Sequence, residues 1–269
     1  MSCDATWLLN MWKLPSSHAF EVRTTAGAGR GVFAKKRLNR GEHILTTPGP
    51  TAYVVLKDYR KETCSWCFAY DRGREWKIRK HSVAFCKQDC CNAWVEKYDG
   101  SRYKELMTRK LDWDIASFFL SDNGSESLSQ LVSNDCVWQT ADHLAHEQAW
   151  THLNLDPLRC ETLVEKASHN AFGIRPEGDM SEFMGYGVWP EASFFNHSCR
   201  PNVQKKRNGR VWVFEAAGEV KEGEELCITY LGGEEDELVV GARSERLNQE
   251  WGFRCRCTRC VEEAANGEG

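Results

Sequence analysis

Three cysteines near the end of the chain, Cys255, Cys257 and Cys260, have the Cys-x-Cys-x-x-Cys spacing of an incomplete metal site. Zinc held by thiolates favours four tetrahedral ligands, so this set is one short. Cys199, 56 residues before Cys255, is the candidate for the fourth. No other feature constrains the fold as much. A closed site of these four ligands bends the C-terminus back onto Asn196-His197-Ser198-Cys199 and brings Trp251 and Phe253 beside that segment. Such a closure suits a small molecule held between the two.

A second group has the same chemistry with local spacing: Cys64-x-x-Cys67, then Cys86-x-x-x-Cys90. Two close pairs about twenty residues apart can converge on one metal. His81 and Cys91 are further potential ligands, but four thiolates suffice. Neither site is expected to be catalytic, because four protein ligands leave no open position for water or substrate. The 13 cysteines are an odd number and fit no complete disulfide framework. Their use as metal ligands and buried thiols points to a reducing compartment. Cys3, Cys91, Cys136, Cys160 and Cys227 are then read as small buried hydrophobes.

The apolar runs are only a few residues long, and no signal peptide or membrane span is legible, so an intracellular home is expected. A net charge of −4 excludes a chain-wide nucleic-acid-binding polycation. The short basic runs at 35–37 and 205–207 read as solvated turns or edge strands.

Turn and strand signals cluster at both ends. Residues 20–24, 31–34 and 43–47 read as strands around a glycine-rich turn at 26–31. Residues 203–207 and 210–214 flank Asn208-Gly209, a strong hairpin signal, and 226–230 reads as another strand. Between them, 86–98, 102–120, 135–152 and 160–169 read as helices, with Asp156-Pro157 starting the last. A short helix is expected at 243–249, and 262–269 reads as disordered.

Taken in order, several strings resemble the SET-domain protein methyltransferases whose SET domain is split by a MYND-type zinc insertion. They are Gly29-Arg30-Gly31-Val32-Phe33-Ala34, Gly187-Val188-Trp189-Pro190 running into Ser193 to Cys199, Gly223-Glu224-Glu225-Leu226-Cys227-Ile228-Thr229-Tyr230, and Trp251-Gly252-Phe253-Arg254-Cys255. The resemblance implies an α+β fold of short sheets with a threaded crossing (a pseudoknot). It divides the chain into a SET N-terminal part (19–63), a MYND-like insert (64–91), a helical insertion (92–170), a SET C-terminal core (171–232) and a post-SET zinc region (243–261). A full MYND module resembles two interleaved zinc sites, whereas Cys64, Cys67, Cys86 and Cys90 supply one. The helical-repeat domain of the larger animal members is not expected here.

The family chemistry implied is methyl transfer from S-adenosylmethionine to a protein lysine, with two structural zinc ions, the second held by Cys199, Cys255, Cys257 and Cys260. Tyr230 is the implied catalytic phenol at the mouth of the lysine channel. With an ordinary pKa of about 10 it is a poor base at neutral pH. Ala28, Gly29, Arg30, Asn170, Asn196, His197, Tyr230 and Phe253 are the implied cofactor contacts. Phe172, Phe183, Tyr186, Trp189 and Trp251 are candidate channel walls, where aromatic faces favour a cation. The implied substrate is a histone or a translation-related protein, with the enzyme a monomer in the nucleus and/or cytoplasm. A zinc-stabilised interaction adaptor with weak or lost catalysis is the rival reading.

Overall fold

The computed structural model describes residues 17–25, 29–98, 100–131, 140–177, 182–233 and 236–267. The N-terminal strands are β1 (Phe20–Thr25), β2 (Gly29–Ala34), β3 (His43–Thr46) and β4 (Ala52–Val55), followed by the small hairpin β5 (Ile78–Lys80) and β6 (Val83–Phe85). Helices α1 (Gln88–Lys97), α2 (Ser101–Thr108), α3 (Trp113–Leu120), α4 (Thr140–His152) and α5 (Pro157–Asn170) fill the middle. Then come β7 (Ala171–Ile174), β8 (Gly185–Val188), β9 (Asn196–His197), β10 (Val203–Asn208), β11 (Val211–Ala216) and β12 (Glu225–Ile228). Helices α6 (Val240–Trp251) and α7 (Thr258–Ala265) complete the order.

The strands form small sheets rather than one large one, ordered β1-β2-β12-β9, β10-β11-β3, β4-β8-β7 and β5-β6. Each of the first three joins chain segments far apart in sequence, which is why the ends depend on each other. The first sheet positions the site. β12 pairs antiparallel with β2 on one edge and parallel with β9 on the other, setting Cys227 opposite Asn196 and Ile228 opposite His197. Gly31 makes this possible: a Cβ there would meet Glu225 Oε1 at 2.3 Å and Asn196 Nδ2 at 2.9 Å. The close approach at Gly31 is therefore made by the protein's own Asn196 and Glu225.

The helical insertion packs on β4. The indole N–H of Trp113 donates to Val55 O at 3.1 Å, and the Ser121 hydroxyl bridges the backbone of Tyr53. The helix read over 102–120 is two helices. Lys110 takes a left-handed φ of 55°, and the Asp112 side chain then caps α3 by accepting Ile115 N–H at 3.0 Å. Asp156 caps α5 in the same way, accepting Leu158 N–H at 3.2 Å ahead of Pro157.

Two other readings are corrected. In the β10–β11 hairpin Asn208 pairs with Val211, so the two-residue turn is Gly209-Arg210 rather than Asn208-Gly209. Residues 262–265 are helical within α7, because Arg259 pairs with Glu263 at 2.7 Å and Cys260 is buried. The helical reading at 135–139 lies outside the described residues.

Alternation along β10 revises the basic run. Val203 and Arg207 are buried and Lys205 is half-buried, while Gln204, Lys206 and Asn208 face solvent. β10 is indeed an edge strand, but two of its three basic side chains point inward. Most buried apolar residues form one cluster through the sheets and the insertion. Cys199, Leu231, Leu247 and Cys260 form a second, joined by Tyr230, Trp251 and Phe253 at its margin. Among the described residues no helix is long and apolar enough to cross a membrane.

Candidate active site and four-cysteine centres

The crossing of β9 and β12 is held by side chains as well as by its ladder. Asn202 accepts Cys227 N–H at 2.8 Å and donates to Glu225 O at 2.8 Å, and Ser198 N–H donates to Ile228 O at 2.9 Å. Asn196 donates to Glu225 Oε1 at 2.7 Å and to Arg30 O at 3.2 Å, so its amide is engaged by the protein on the side facing β2.

His197 sits between two functional neighbours. Its Nδ1 accepts the Tyr230 backbone N–H at 3.0 Å, and its Nε2 lies 3.2 Å from Cys199 Sγ. An acceptor at Nδ1 puts the proton of a neutral ring on Nε2, facing the sulfur. Burial is the main reason its pKa falls to about 4, so the ring is neutral near pH 7.

Tyr230 donates its phenol proton to Phe195 O at 2.8 Å. Its ring packs against His197 and Trp251 at centroid distances of 5.3 and 5.4 Å, and edge-on to Phe253 at 6.3 Å. Burial pushes its pKa above the ordinary phenol value. Tyr230 is therefore a fixed, protonated group that can orient a neighbour and is unsuited to removing its proton.

Two cavities flank this phenol. The larger, about 1410 Å³, is lined by Arg30, Asn170, Asn196, His197, Tyr230 and Phe253 among others. The smaller, about 270 Å³, is lined by Phe172, Phe183, Phe195, Lys205, Trp212 and Trp251, again with Tyr230. His169, Asn170, Ser193, Tyr230 and Trp251 belong to both linings and so form the shared wall. Asn170 is buried there by its own helix, its amide donating to Lys166 O at 2.8 Å while Ser193 Oγ donates to its carbonyl at 3.1 Å.

Most residues singled out from the sequence thus meet around one place, but not all. Gly29 lines neither cavity, and Ala28 lies outside the described residues. Among the channel candidates, Phe172, Phe183 and Trp251 line the small cavity; Tyr186 and Trp189 do not. Trp189 is fully buried, its indole donating to Arg210 O at 2.9 Å, with edge-on contacts to Phe68, Phe172 and Trp212. Gly187 leaves room for it, since a Cβ there would approach the Trp189 ring to 2.9 Å. Tyr186 packs on Phe118 at 5.4 Å, and burial lifts its pKa to about 12. Both rings support the wall from behind. Trp212, Lys205 and Phe195 take their place in the lining, and nothing in their local sequence sets them apart from core or surface strand residues.

In each cysteine group the four sulfurs lie within 4.8 Å of one another: Cys64, Cys67, Cys86 and Cys90 in one, Cys199, Cys255, Cys257 and Cys260 in the other. Cys67–Cys86, Cys86–Cys90 and Cys199–Cys260 are 3.5, 3.7 and 3.5 Å apart. A tetrahedron with Zn–S of about 2.3 Å has edges of about 3.8 Å, whereas a disulfide needs about 2.05 Å. Both groups therefore fit zinc and neither fits a disulfide; all eight thiols are free. His81 and Cys91 stand outside the groups. The C-terminal group also has a feature that its spacing did not reveal. Arg243, fully buried on α6, places Nη2 3.8 Å from Cys260 Sγ and pairs with Glu263. A buried cation beside four crowded sulfurs offsets their negative charge.

A family model described as the SET domain matches residues 29–231. The potential protein lysine methyltransferase SET6 of Saccharomyces cerevisiae is 43% identical, with 91% of this chain and 95% of that protein covered. The histone-lysine N-methyltransferase SMYD3 of Mus musculus is 29% identical over 89% of this chain and 61% of its own length. The chain thus spans about three fifths of this animal relative and nearly all of the yeast one. Among solved structures, Rubisco LSMT bound to AdoMet aligns with 93% of this chain and 55% of its own at 16% identity, with a TM-score of 0.42. The four-cysteine insert fits the SET-and-MYND type, and with a match that runs from β2 to just past Tyr230, the chain belongs to the SET-domain family.

Proposed function

We propose that the chain transfers a methyl group from S-adenosylmethionine to the side-chain amine of a lysine in a protein. The observation that carries this reading is the pair of unequal cavities sharing a wall that contains Tyr230. One is large; the other is smaller, and its lining combines aromatic rings with charged groups such as Lys205 and Arg175. Two substrates approaching from opposite sides of such a wall meet in line, and alignment with exclusion of water is the main source of rate in a displacement of this kind.

S-adenosylmethionine, when bound, supplies an electrophilic methyl on a sulfonium centre. The residues around the larger cavity suit it. Arg30, stacked on Phe194 at 4.7 Å, offers a cation to a carboxylate, and Phe253 offers a ring face to a base. Asn196 and His197, fixed by the crossing, hold the floor. On the other side Phe172, Trp212 and Trp251 present ring faces to an alkylammonium. Tyr230, anchored on Phe195 O, keeps oxygen lone pairs available to orient the amine.

Single-turnover transfer to a lysine-peptide pool tests this reading. Tyr230→Phe should slow transfer by about 100-fold or more while cofactor affinity stays within about twofold. An unchanged rate removes Tyr230 from the role. Cofactor binding without transfer to any lysine, even by the unaltered protein, would favour the adaptor reading instead. Zinc is the metal proposed for both cysteine groups, checked by finding two ions per chain. The substrate is read as a histone or translation-related protein and the enzyme as a monomer. The free thiols support a reducing compartment, the nucleus and/or cytoplasm, which imaging of a tagged chain would check.

A further inference from the structure

The cavity assigned to the incoming lysine already contains an ammonium group. Lys205 lies on the inward face of β10, and its Nζ donates to Thr229 O at 2.5 Å, one residue before Tyr230. The same Nζ sits 5.8 Å from the centroid of Phe172, over the ring that a guest cation would use. Lys205 lines the small cavity and not the large one, so it faces the amine rather than the cofactor.

We infer that Lys205 is a further functional residue of the acceptor site, whose positive charge keeps the incoming lysine amine neutral and therefore nucleophilic. The inference rests on the methyl-transfer reading above. The reaction needs a neutral amine. Its lone pair forms the N–C bond, the C–S bonding pair returns to sulfur, and the product leaves as a methylammonium that loses its proton to water. A lysine in water is almost wholly protonated at neutral pH, its pKa being about 10.4. The proton must be lost before transfer, and a cation in the cavity wall promotes that loss.

Tyr230 is protonated and donates to Phe195 O. His197, on β9, has both ring nitrogens engaged, by Tyr230 N–H and by Cys199 Sγ. Glu250 on α6 is exposed and pairs with Arg246 at 3.0 Å, so that pair brings little net charge. Arg175, after β7, adds a cation over Phe183 at 5.4 Å, and His169 on α5 stands in the shared wall. On the β11 side, Phe214, opposite Lys205, is buried and apolar. Lys205 and Arg175 therefore both place a cation on this wall.

Confinement makes that charge count. A sphere of 270 Å³ is about 8 Å across, so a guest ammonium cannot be farther than that from the wall. At such a distance, with an effective dielectric constant of about 20, one positive neighbour lowers the acidity constant's pH of half-protonation by roughly one to two units. A phenylalanine face alone favours a cation; the lysine opposes it, and the net result is a site that tolerates the alkyl stem and expels the proton.

The test is the pH dependence of single-turnover methyl transfer at saturating lysine peptide, where the acidic limb reports the bound amine. Lys205→Met should move that limb up by about one unit, and Lys205→Arg should keep it in place. A limb that stays put in Lys205→Met overturns the inference. So does methylation found on Lys205 itself by mass spectrometry, which would make it a guest rather than part of the wall.

A second measurement needs no variant. With S-adenosylhomocysteine bound, the affinity of a lysine peptide should tighten by about tenfold between pH 8 and 10.5, while a norleucine peptide shows no such gain. Equal behaviour of the two peptides overturns the inference even if transfer itself is observed. Failure of every lysine peptide to bind or react overturns the methyl-transfer reading, and this inference with it.

Discussion

The two four-cysteine centres have the same ligands and the same burial pattern, yet they hold different things together. Cys64, Cys67, Cys86 and Cys90 close a segment of 27 residues around the β5–β6 hairpin and the start of α1. They sit in the main core, and none of them lines either cavity. The sulfurs of Cys199, Cys255, Cys257 and Cys260 cluster within 4.8 Å of one another beside the larger cavity, and Cys255 and Cys257 are part of its lining. That cluster has its own small apolar core and a buried arginine as neighbour. Four-cysteine groups of the same composition thus lie within a local fold in one place and beside a ligand-sized cavity in the other. What a metal site does depends on which segments it ties, not on its ligands.

The largest effect that would break this comparison is on the C-terminal centre. Cys257→Ala should remove one zinc and, by releasing Trp251 and Phe253 from their places, lower cofactor affinity by about 100-fold or more. Metal analysis with calorimetry checks it; full-strength cofactor binding by a protein with one zinc would show that the flap closes without metal. Cys86→Ala should also remove one zinc but act on stability. A melting temperature lower by about 10 °C is expected, with the folded protein binding cofactor within about threefold of normal.

A smaller effect isolates the arginine. Arg243→Met should let a chelator strip the C-terminal zinc about tenfold faster and leave the rate at the other centre unchanged. Equal rates at the two centres would mean that the buried guanidinium does not distinguish them.

The smallest effect concerns the segment that leads into Asn196. Glu191 is buried, and its Oε2 has no hydrogen-bond partner among the described residues. Burial raises its pKa above the ordinary carboxylate value. A raised acid favours the protonated form in the folded state, so stability is lost as pH rises through the folded pKa. Glu191→Gln should therefore raise the melting temperature by about 2 °C at pH 7, with the gain fading as pH falls through the folded pKa toward the ordinary value of 4.5. An equal gain at every pH would point to packing instead of charge.

Legibility differed by element for physical reasons. The Cys64/Cys67 and Cys86/Cys90 pairs and the Cys255-Cys257-Cys260 triplet were legible from spacing, whereas Cys199 lies 56 residues before Cys255 and only the fold brings it to them. Caps such as Asp156 before Pro157 are local and were equally visible. The break between α2 and α3 was hidden, because good helix formers run through Lys110 and only its left-handed backbone marks the turn. The α7 helix was hidden by its polar composition, since its order comes from Cys260 and the Arg259–Glu263 pair.

Aromatic content did not tell walls from supports. Trp189 and Tyr186 looked as able to line a channel as Phe172 and Trp251. Their places were decided by which neighbours left room: Gly187 for Trp189, and Phe118 across the face of Tyr186. Lys205 looked like one of three solvated cations and turned out to face the cavity.

By itself the sequence determined the two four-cysteine groups and the order of the SET strings, because these depend on residue type and on motifs that are local or recur in order. Only the tertiary structure decided that β9 lies parallel to β12, that Tyr230 stands in a wall between two cavities, and that Lys205 lines the smaller of them. Those facts depend on pairings between segments tens to hundreds of residues apart and on a strand's alternation relative to a core, which no local pattern encodes.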